Sequence, residues 1–267
     1  MTFHCSKQII MASKHLPTIL YKYKKLDDNT LKLLQNGELF FPSVADFNDP
    51  FEGFIPFVYK KSELTIKNAF NKLREFNMYP HLSDKDLYQF INSKEGRIRF
   101  LNPEPIKEHV LEVRNKTEKR FGIFCLTSRD NNFLMWSHYA DSHRGICIGF
   151  NTSVLSDLGI GRIWKVNYQR TLPRFKMNEP TDNFISKFLC TKSDIWKYED
   201  EFRLIKEGSP HTTVQIPSEA IDSVVMGNSM NCDKLVFADE LIKAYPNLKI
   251  YDSTLSYKHF RVELRRL

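Results

Sequence analysis

Two short segments of the chain concentrate side chains that could bind a ligand or react with it. The first runs from Phe124 to Phe150, where a polar stretch separates two apolar stretches with strand character. Strand ends and turns are where binding and catalytic groups concentrate. The second segment, Trp196–Arg203, places three acidic residues and one arginine within eight positions. We therefore expect the second segment to supply the carboxylates of a site that the first one helps to form.

The acidic segment supports two interpretations. Glu199, Glu201 and Arg203 alternate, so they project from one face if the segment enters a strand. In the first interpretation, which the spacing alone favours, they lie on a solvated strand edge where Arg203 neutralises Glu201. In the second, they line a pocket in which one carboxylate faces a developing positive charge and Arg203 holds that carboxylate in place. Burial would make such partners necessary, because unpaired carboxylates are costly to bury.

Several common kinds of site are disfavoured by spacing. His138 and His143 are five positions apart, whereas helical histidine ligands share a face when they are four apart, so we expect no metal. Cys125 and Cys147 lie in apolar strand patterns, where buried and unreactive thiols are the rule. The Gly159–Gly161 segment lacks the context of a phosphate-binding loop.

The composition is that of a soluble globular protein with a basic surplus. The net charge is +7, which suits a nucleotide, a nucleic acid or an acidic protein surface as partner, a role in solubility being the alternative. Five cysteines without a CxxC pair indicate a reducing cytosol. With no recognisable signal peptide and no apolar run of membrane-span length, we expect a cytoplasmic protein without a membrane partner.

The periodicity of the chain predicts the elements that must position these residues. A strand at 18–23 is followed by a helix at 28–37, which Asp28 or Asn29 caps and Gly37 ends, and by a strand at 38–41. Further strands are predicted at 123–127, 145–150, 163–168, 202–206, 212–216, 222–226, 248–251 and 259–265, with a helix at 233–244.

Residues 62–120 differ from the rest of the chain. They are charged, have helical spacing and contain almost no strand pattern, which predicts three or so helices with breaks at Pro80, Pro103 and Pro105. We therefore predict a single α+β domain over residues 1–267, with a helical insertion at about 62–120.

Five sequence blocks, in the same order, resemble a bacterial family of proteins of unknown function. The blocks are Leu20–Tyr23, Phe47–Glu52, Phe124–Ser128, Leu134–Phe150 and Trp196–Arg203. The likeness runs from about residue 20 to residue 225, and the family by itself implies no activity.

The same layout is remotely similar to the ADP-ribosyltransferase fold, especially to toxins that modify nucleic acid. Asn29–Leu39 resembles the helix that follows the first strand of those proteins. Thr127 or Ser128 matches the small hydroxyl residue of their next strand, and Glu201 or Glu199 matches the glutamate at the head of a late strand. The resemblance implies an ADP-ribosyltransferase-like central split β-sheet with flanking helices.

What the resemblance implies for chemistry is an enzyme that uses NAD as co-substrate and needs no metal. Cleavage of the nicotinamide–ribose bond develops positive charge on the ribose, which a carboxylate can stabilise. We expect Glu201 in that role and Glu199 orienting it or activating the acceptor. His138 would be an acid or base, or else a structural residue. The implied NAD-binding residues are Tyr21, Lys22, Tyr23, Thr127, Ser128, Trp136, Tyr139, Arg144 and Arg203.

Within that set, the roles differ. Tyr139 or Trp136 would stack on nicotinamide, and Lys22, Arg144 and Arg203 would contact the pyrophosphate or position the carboxylate. The resemblance has one departure, because the usual His or Arg of the first strand is replaced within the Tyr-Lys-Tyr run that includes Lys22.

The expected acceptor is RNA or DNA, whose phosphates would be attracted to a basic protein. Protein side chains are the alternative acceptor. The resemblance to toxins and phage-defence effectors also implies an antitoxin-like neutralising protein as partner. Two other functions compete with the transferase. One is a non-catalytic nucleic-acid-binding module of a defence system, and the other is a hydrolase or nuclease using Glu199, Glu201 and His138.

Overall fold

A computed structural model describes residues 16–53, 62, 64–75, 78–101, 107–173 and 181–267. Its strands are β1 (Ile19–Lys24), β2 (Glu38–Phe41), β3 (Phe121–Thr127), β4 (Ile146–Asn151), β5 (Arg162–Lys165), β6 (Asn167–Gln169), β7 (Thr191–Ser193), β8 (Glu201–Glu207), β9 (Thr212–Gln215), β10 (Ile221–Met226), β11 (Lys249–Leu255) and β12 (Val262–Arg266). Its helices are α1 (Asp28–Asn36), α2 (Ile66–Glu75), α3 (Asp84–Asn92), α4 (Lys94–Phe100), α5 (Lys107–Glu118), α6 (Phe133–Tyr139), α7 (Thr152–Asp157), α8 (Thr181–Leu189) and α9 (Lys234–Ala244). The class is α+β, as predicted.

The chain divides into two units. The first contains the described residues up to 42, with 122–166 and 195–267, and the second contains 43–121 and 167–194. The first unit holds an eight-stranded mixed sheet in the order β12-β11-β10-β4-β1-β3-β8-β5. The pairs β1–β4, β4–β10, β5–β8 and β11–β12 are antiparallel, and β10–β11 is parallel.

The two neighbours of β1 pair with it unequally. β1 and β4 are in register over six residue pairs, from Ile19 with Asn151 to Lys24 with Ile146. Within the described part of the chain, β1 and β3 pair only where Tyr21 lies opposite Thr127. The ladder therefore continues on one side of β1 and is interrupted on the other.

Alternation along the strands gives the sheet a packed core on each face. Leu20 belongs to the larger core, together with Leu33 and Leu34 of α1 and Phe150 of β4. Tyr23, three positions along β1, belongs instead to a smaller core with Met135, Trp136, Cys147, Val225 and Val262. Of the predicted site residues, Tyr21, Tyr23, Trp136 and Tyr139 belong to or pack against this second core.

The second unit contains the helical block predicted at 62–120. Helices α2 to α5 lie there, and α2, α3 and α4 share a core of Ala69, Leu73, Met78, Leu87, Ile91 and Phe100. The short parallel pair β6–β7 and helix α8 also belong to this unit. Among the described residues, no helix is long and apolar enough to cross a membrane.

Several local predictions hold and others need correction. Gly37 ends α1 with a φ of 69°, but its N-cap is Asp27, one residue before the predicted caps. The strand predicted at 163–168 is two strands, β5 and β6, which lie in different units. Helices α6, α7 and α8 were not predicted; α6 and α7 have only seven and six residues, too few to show a helical period clearly.

Candidate active site

Glu201 and Arg203 form a buried ion pair on one strand. The Nε of Arg203 donates to Oε1 of Glu201 at 2.8 Å and its Nη2 donates to Oε2 at 3.0 Å. The two residues are 5% and 0% exposed, since β8 lies inside the sheet between β3 and β5. The interpretation as a solvated strand edge is therefore wrong, although Arg203 does neutralise Glu201 as that interpretation supposed.

Glu199 precedes this pair in the sequence and is also buried, but it does not lie on β8. It ends a 3-10 turn, Asp194–Glu199, and Asp200 then takes a left-handed φ of 41° before β8 begins. Aspartate is one of the few non-glycine residues that adopt this conformation readily. The side chain of Glu199 is 3% exposed and accepts a hydrogen bond from the Tyr139 hydroxyl at 2.6 Å. Helix α6 therefore supplies a direct partner for this carboxylate.

Residues at the end of β3 form hydrogen bonds to the turn that carries Glu199 and Asp200. The Thr127 hydroxyl donates to the main-chain carbonyl of Glu199 at 2.5 Å and accepts from the Arg129 amide at 3.1 Å. The neighbouring Ser128 hydroxyl donates to the carboxylate of Asp200. Thr127 and Ser128 thus lie beside the predicted carboxylates, and their hydroxyls position the turn.

Asp200 is a site residue that the sequence analysis missed. Besides Ser128 it contacts Lys165 at 3.2 Å and Arg129 at 3.7 Å. Partial burial opposes its ionisation, but the Ser128 hydrogen bond and the Lys165 ammonium outweigh it and hold the pKa of Asp200 below its usual value. Its position between the two predicted site residues Glu199 and Glu201 was the feature of the sequence that could have identified it.

The Lys22 ammonium group makes its contacts within the protein. Its Nζ donates to the Cys125 carbonyl at 2.9 Å and lies 4.4 Å from the centroid of the Phe124 ring. Burial lowers the pKa of Lys22, although the charge of Glu201 acts in the opposite direction. Burial and the nearby Lys22 together lower the pKa of Lys24 to about 8. The expected pyrophosphate contact by Lys22 is not supported by this geometry.

Trp136 and Tyr23 are core residues. Trp136 is 0% exposed, and its ring meets that of Tyr23 edge to face at a centroid distance of 5.1 Å. The Tyr23 hydroxyl accepts from the amide of Asn132, the N-cap of α6, at 3.2 Å. A buried ring cannot stack on a ligand, so the predicted stacking role of Trp136 is corrected to packing.

Three half-buried tyrosines are better placed than Trp136 to stack on a ligand. Tyr21, Tyr139 and Tyr198 pack against the smaller core without being enclosed by it. Burial, followed by the charge of Asp130, raises the pKa of Tyr21 to about 12. The side-chain amide of Asn132, the N-cap of α6, donates to the main-chain carbonyl of Tyr198 at 2.7 Å. This hydrogen bond joins the 3-10 turn that contains Tyr198 to the start of α6.

His138 and Arg144 lie at the surface. The His138 ring is exposed, with its centroid 6.2 Å from those of both Tyr139 and Tyr198. Arg144 is exposed and donates to both carboxylate oxygens of Asp141, at 3.0 and 2.9 Å. The structure therefore brings His138 to the tyrosines that flank Glu199, and it pairs Arg144 with a residue outside the predicted site.

The arrangement combines two fixed carboxylates with flat aromatic surfaces. In the described part of the chain, no group of three or more His, Cys, Asp or Glu residues is placed to hold a metal ion. Arg203 orients one carboxylate and Tyr139 orients the other. Carboxylates held in this way are suited to stabilise positive charge or to accept a proton.

Residues 135–204 match the family model described as protein of unknown function, DUF2971. The predicted resemblance to a family of unknown function is confirmed over these residues, which include two of the five sequence blocks, residues 135–150 and Trp196–Arg203. The DUF2971 match begins within α6, ends within β8 and includes Tyr139, Glu199, Glu201 and Arg203. No curated protein and no solved structure matches the chain.

Proposed function

We propose that the chain is an NAD-dependent ADP-ribosyltransferase that modifies nucleic acid and acts as a toxin or phage-defence effector. The observation that carries the proposal is the buried Glu201, whose two oxygens are bound by Arg203 at the start of β8. A glutamate at the head of a late strand is what the resemblance to this enzyme class requires.

The order of the strands supports the same proposal. β1, β3 and β8 are consecutive in the sheet, and they carry or lead into the three positions of the resemblance, namely Lys22, Thr127 and Glu201. The pairing of β1 with β3 at Tyr21 and Thr127 alone is compatible with a sheet that splits between these strands. We take this interruption as the split sheet that such a fold would have.

The residues around the carboxylates suit NAD. Tyr21, Tyr139 and Tyr198 offer half-buried rings on which nicotinamide or adenine could stack. For the pyrophosphate we assign Arg129 in place of Lys22, because the Arg129 side chain is mostly exposed and follows Ser128 at the end of β3. Bound NAD supplies the ribose–nicotinamide bond, whose cleavage leaves positive charge on the ribose.

Each carboxylate has a distinct role in this proposal. Glu201, fixed by Arg203, stabilises the positive charge, because a preorganised group needs no reorganisation when that charge develops. Glu199 accepts the proton of the attacking acceptor group, and the Tyr139 hydroxyl orients it. Thr127 acts as a positioning residue through the Glu199 carbonyl.

The test uses NAD labelled in the adenylate portion, incubated with RNA, DNA or total protein. We expect labelled nucleic acid and release of nicotinamide. Glu201→Gln should reduce both by about a hundredfold or more, as loss of one preorganised electrostatic group does. Glu207→Gln, at the exposed end of the same strand, is the matched control and should keep full transfer.

Three results would reject the proposal. These are absence of NAD binding and consumption, unchanged transfer by Glu201→Gln, and cleavage of nucleic acid without NAD. The last would favour the nuclease alternative. The antitoxin-like partner is tested separately, because its co-expression should relieve growth arrest that depends on Glu201.

A further inference from the structure

The loop between β11 and β12 exposes two large aromatic rings. Tyr257 is 105% exposed and Phe260 is 99% exposed, relative to a free side chain. Isolated apolar residues are normal at a surface, but two fully exposed rings three positions apart on one loop form a patch that marks interaction. We call residues 256–261 the hairpin tip.

Two cationic side chains and a histidine lie beside these rings. Lys258 and His259 lie between them in the sequence and Arg261 follows directly, and all three are exposed. Arg265 and Arg266 at the end of β12 are also exposed. From residue 256 to residue 267 the chain contains four Lys or Arg residues and one acidic residue, Glu263. The hairpin tip is therefore aromatic and basic together.

The hairpin tip is a closed turn. The Ser256 amide donates to the Arg261 carbonyl at 3.1 Å, and the Arg261 amide donates to the His259 carbonyl at 2.8 Å. The Arg261 guanidinium is held by Glu263 at 3.0 Å. Because the loop is closed by these bonds, the rings are presented to solvent at little further entropic cost to a ligand.

We propose that the hairpin tip binds single-stranded nucleic acid. Tyr257 and Phe260 stack on unpaired bases, and Lys258 and Arg261 contact the phosphates between them. Every base has a flat face, so rings interleaved with cations bind a strand with little sequence preference. A bilayer suits the tip less well, because insertion of the rings would carry Lys258 and His259 toward the hydrocarbon.

This site does not depend on NAD chemistry. The hairpin tip connects β11 and β12 at one edge of the sheet, and none of its residues belongs to the candidate active site. It would recruit the nucleic-acid acceptor of the proposed transferase, and it would also bind a strand if the protein were not an enzyme.

The test measures fluorescence anisotropy of a labelled single-stranded RNA of about ten nucleotides, the scale of known single-strand sites. We expect the double variant Tyr257→Ala/Phe260→Ala to bind at least tenfold more weakly than the wild type. Tyr257→Phe keeps the ring and should bind normally. Leu235→Ala, at an exposed leucine of α9, is the control for loss of surface apolar area.

The role of charge is tested with Lys258→Gln/Arg261→Gln. For each phosphate that the variant no longer neutralises, the dependence of log Kd on log salt concentration should flatten by about 0.7. Unchanged RNA binding by the double alanine variant would overturn the proposal. So would ring-dependent binding to phosphatidylglycerol vesicles without binding to RNA. RNA binding is measured without NAD, so loss of binding by the ring variant reports on the hairpin tip, whereas absence of transfer by a wild-type protein that binds RNA reports on the proposed transferase.

Discussion

Arg203 donates two hydrogen bonds to Glu201, which lies two positions earlier on the same strand; Arg203 is fully buried and Glu201 is only 5% exposed. A strand places residues two apart on one face, so the pair is preorganised by local geometry. Both ions have lost their hydration, and their mutual contact must offset that cost. This dependence makes the pair sensitive to single substitutions.

Removing only the arginine should be severe. Arg203→Met is expected to lower the free energy of unfolding by about 3–5 kcal/mol, because Glu201 would stay buried without its partner. The double variant Glu201→Met/Arg203→Met should recover much of that loss. Urea unfolding of the wild type, Arg203→Met, Glu201→Met and the double variant gives the coupling energy between the two side chains. Arg144→Met, which removes an exposed arginine, is the control and should leave the free energy of unfolding nearly unchanged. Equal losses at Arg203 and Arg144 would contradict the expected dependence on burial.

The Tyr139 hydroxyl should contribute to stability through Glu199. Tyr139→Phe keeps the ring but removes the 2.6 Å hydrogen bond to a buried carboxylate. We expect a loss of about 1–3 kcal/mol by thermal or chemical unfolding. Tyr257→Phe deletes a hydroxyl from a fully exposed ring and should change nothing. A Tyr139→Phe protein as stable as the wild type would show that this hydrogen bond is dispensable.

Two buried threonines should respond oppositely to the same substitution. Thr127→Val removes the donor to the Glu199 carbonyl and is expected to cost about 1–3 kcal/mol. The Thr152 hydroxyl is buried without a hydrogen-bond partner among the described residues, so Thr152→Val should be neutral or stabilising. Comparing the urea midpoints of Thr127→Val and Thr152→Val tests whether stability depends on the Thr127 hydrogen bond to Glu199 rather than on the burial of a threonine.

Lys24 should make stability depend on pH in the alkaline range. Its pKa falls from 10.5 to about 8 in the folded protein, chiefly through burial. Between these values the unfolded chain binds more protons than the folded chain, so raising the pH favours folding. Wild type should therefore gain stability relative to Lys24→Met as the pH rises through that window.

The experiment is urea unfolding at several pH values across the window. Lys25→Met is the control, since the Lys25 side chain is largely exposed. If the stability difference between wild type and Lys24→Met stays constant with pH, the lowered pKa of Lys24 is wrong.

Local features of the fold were predictable because they depend on nearby residues. Gly37 ends α1 in a left-handed conformation that glycine adopts without strain. β2 begins and ends where the apolar run before Pro42 predicted. The shared face of Glu201 and Arg203 follows from the two-residue period of a strand. In each case the determinant lies within a few positions.

The burial of the site depended on contacts between distant parts of the chain. Whether Glu201 lies on a solvated edge or inside the sheet is set by the neighbours of β8, which local periodicity does not encode. Thr127 meets the Glu199 carbonyl across 72 positions. The sequence is compatible with Trp136 as a ligand-stacking residue or as a core residue, and the packing of α6 against Tyr23 makes it a core residue.

The sequence by itself determined which groups are available and which of them share a strand face, because side-chain chemistry and strand period are local properties. Only the tertiary structure decided that Glu201 and Arg203 are enclosed, that Lys22 is bound by a main-chain carbonyl and that Tyr139 reaches Glu199. Those outcomes follow from the order in which strands pair, and strand order is fixed by the free energy of the whole fold.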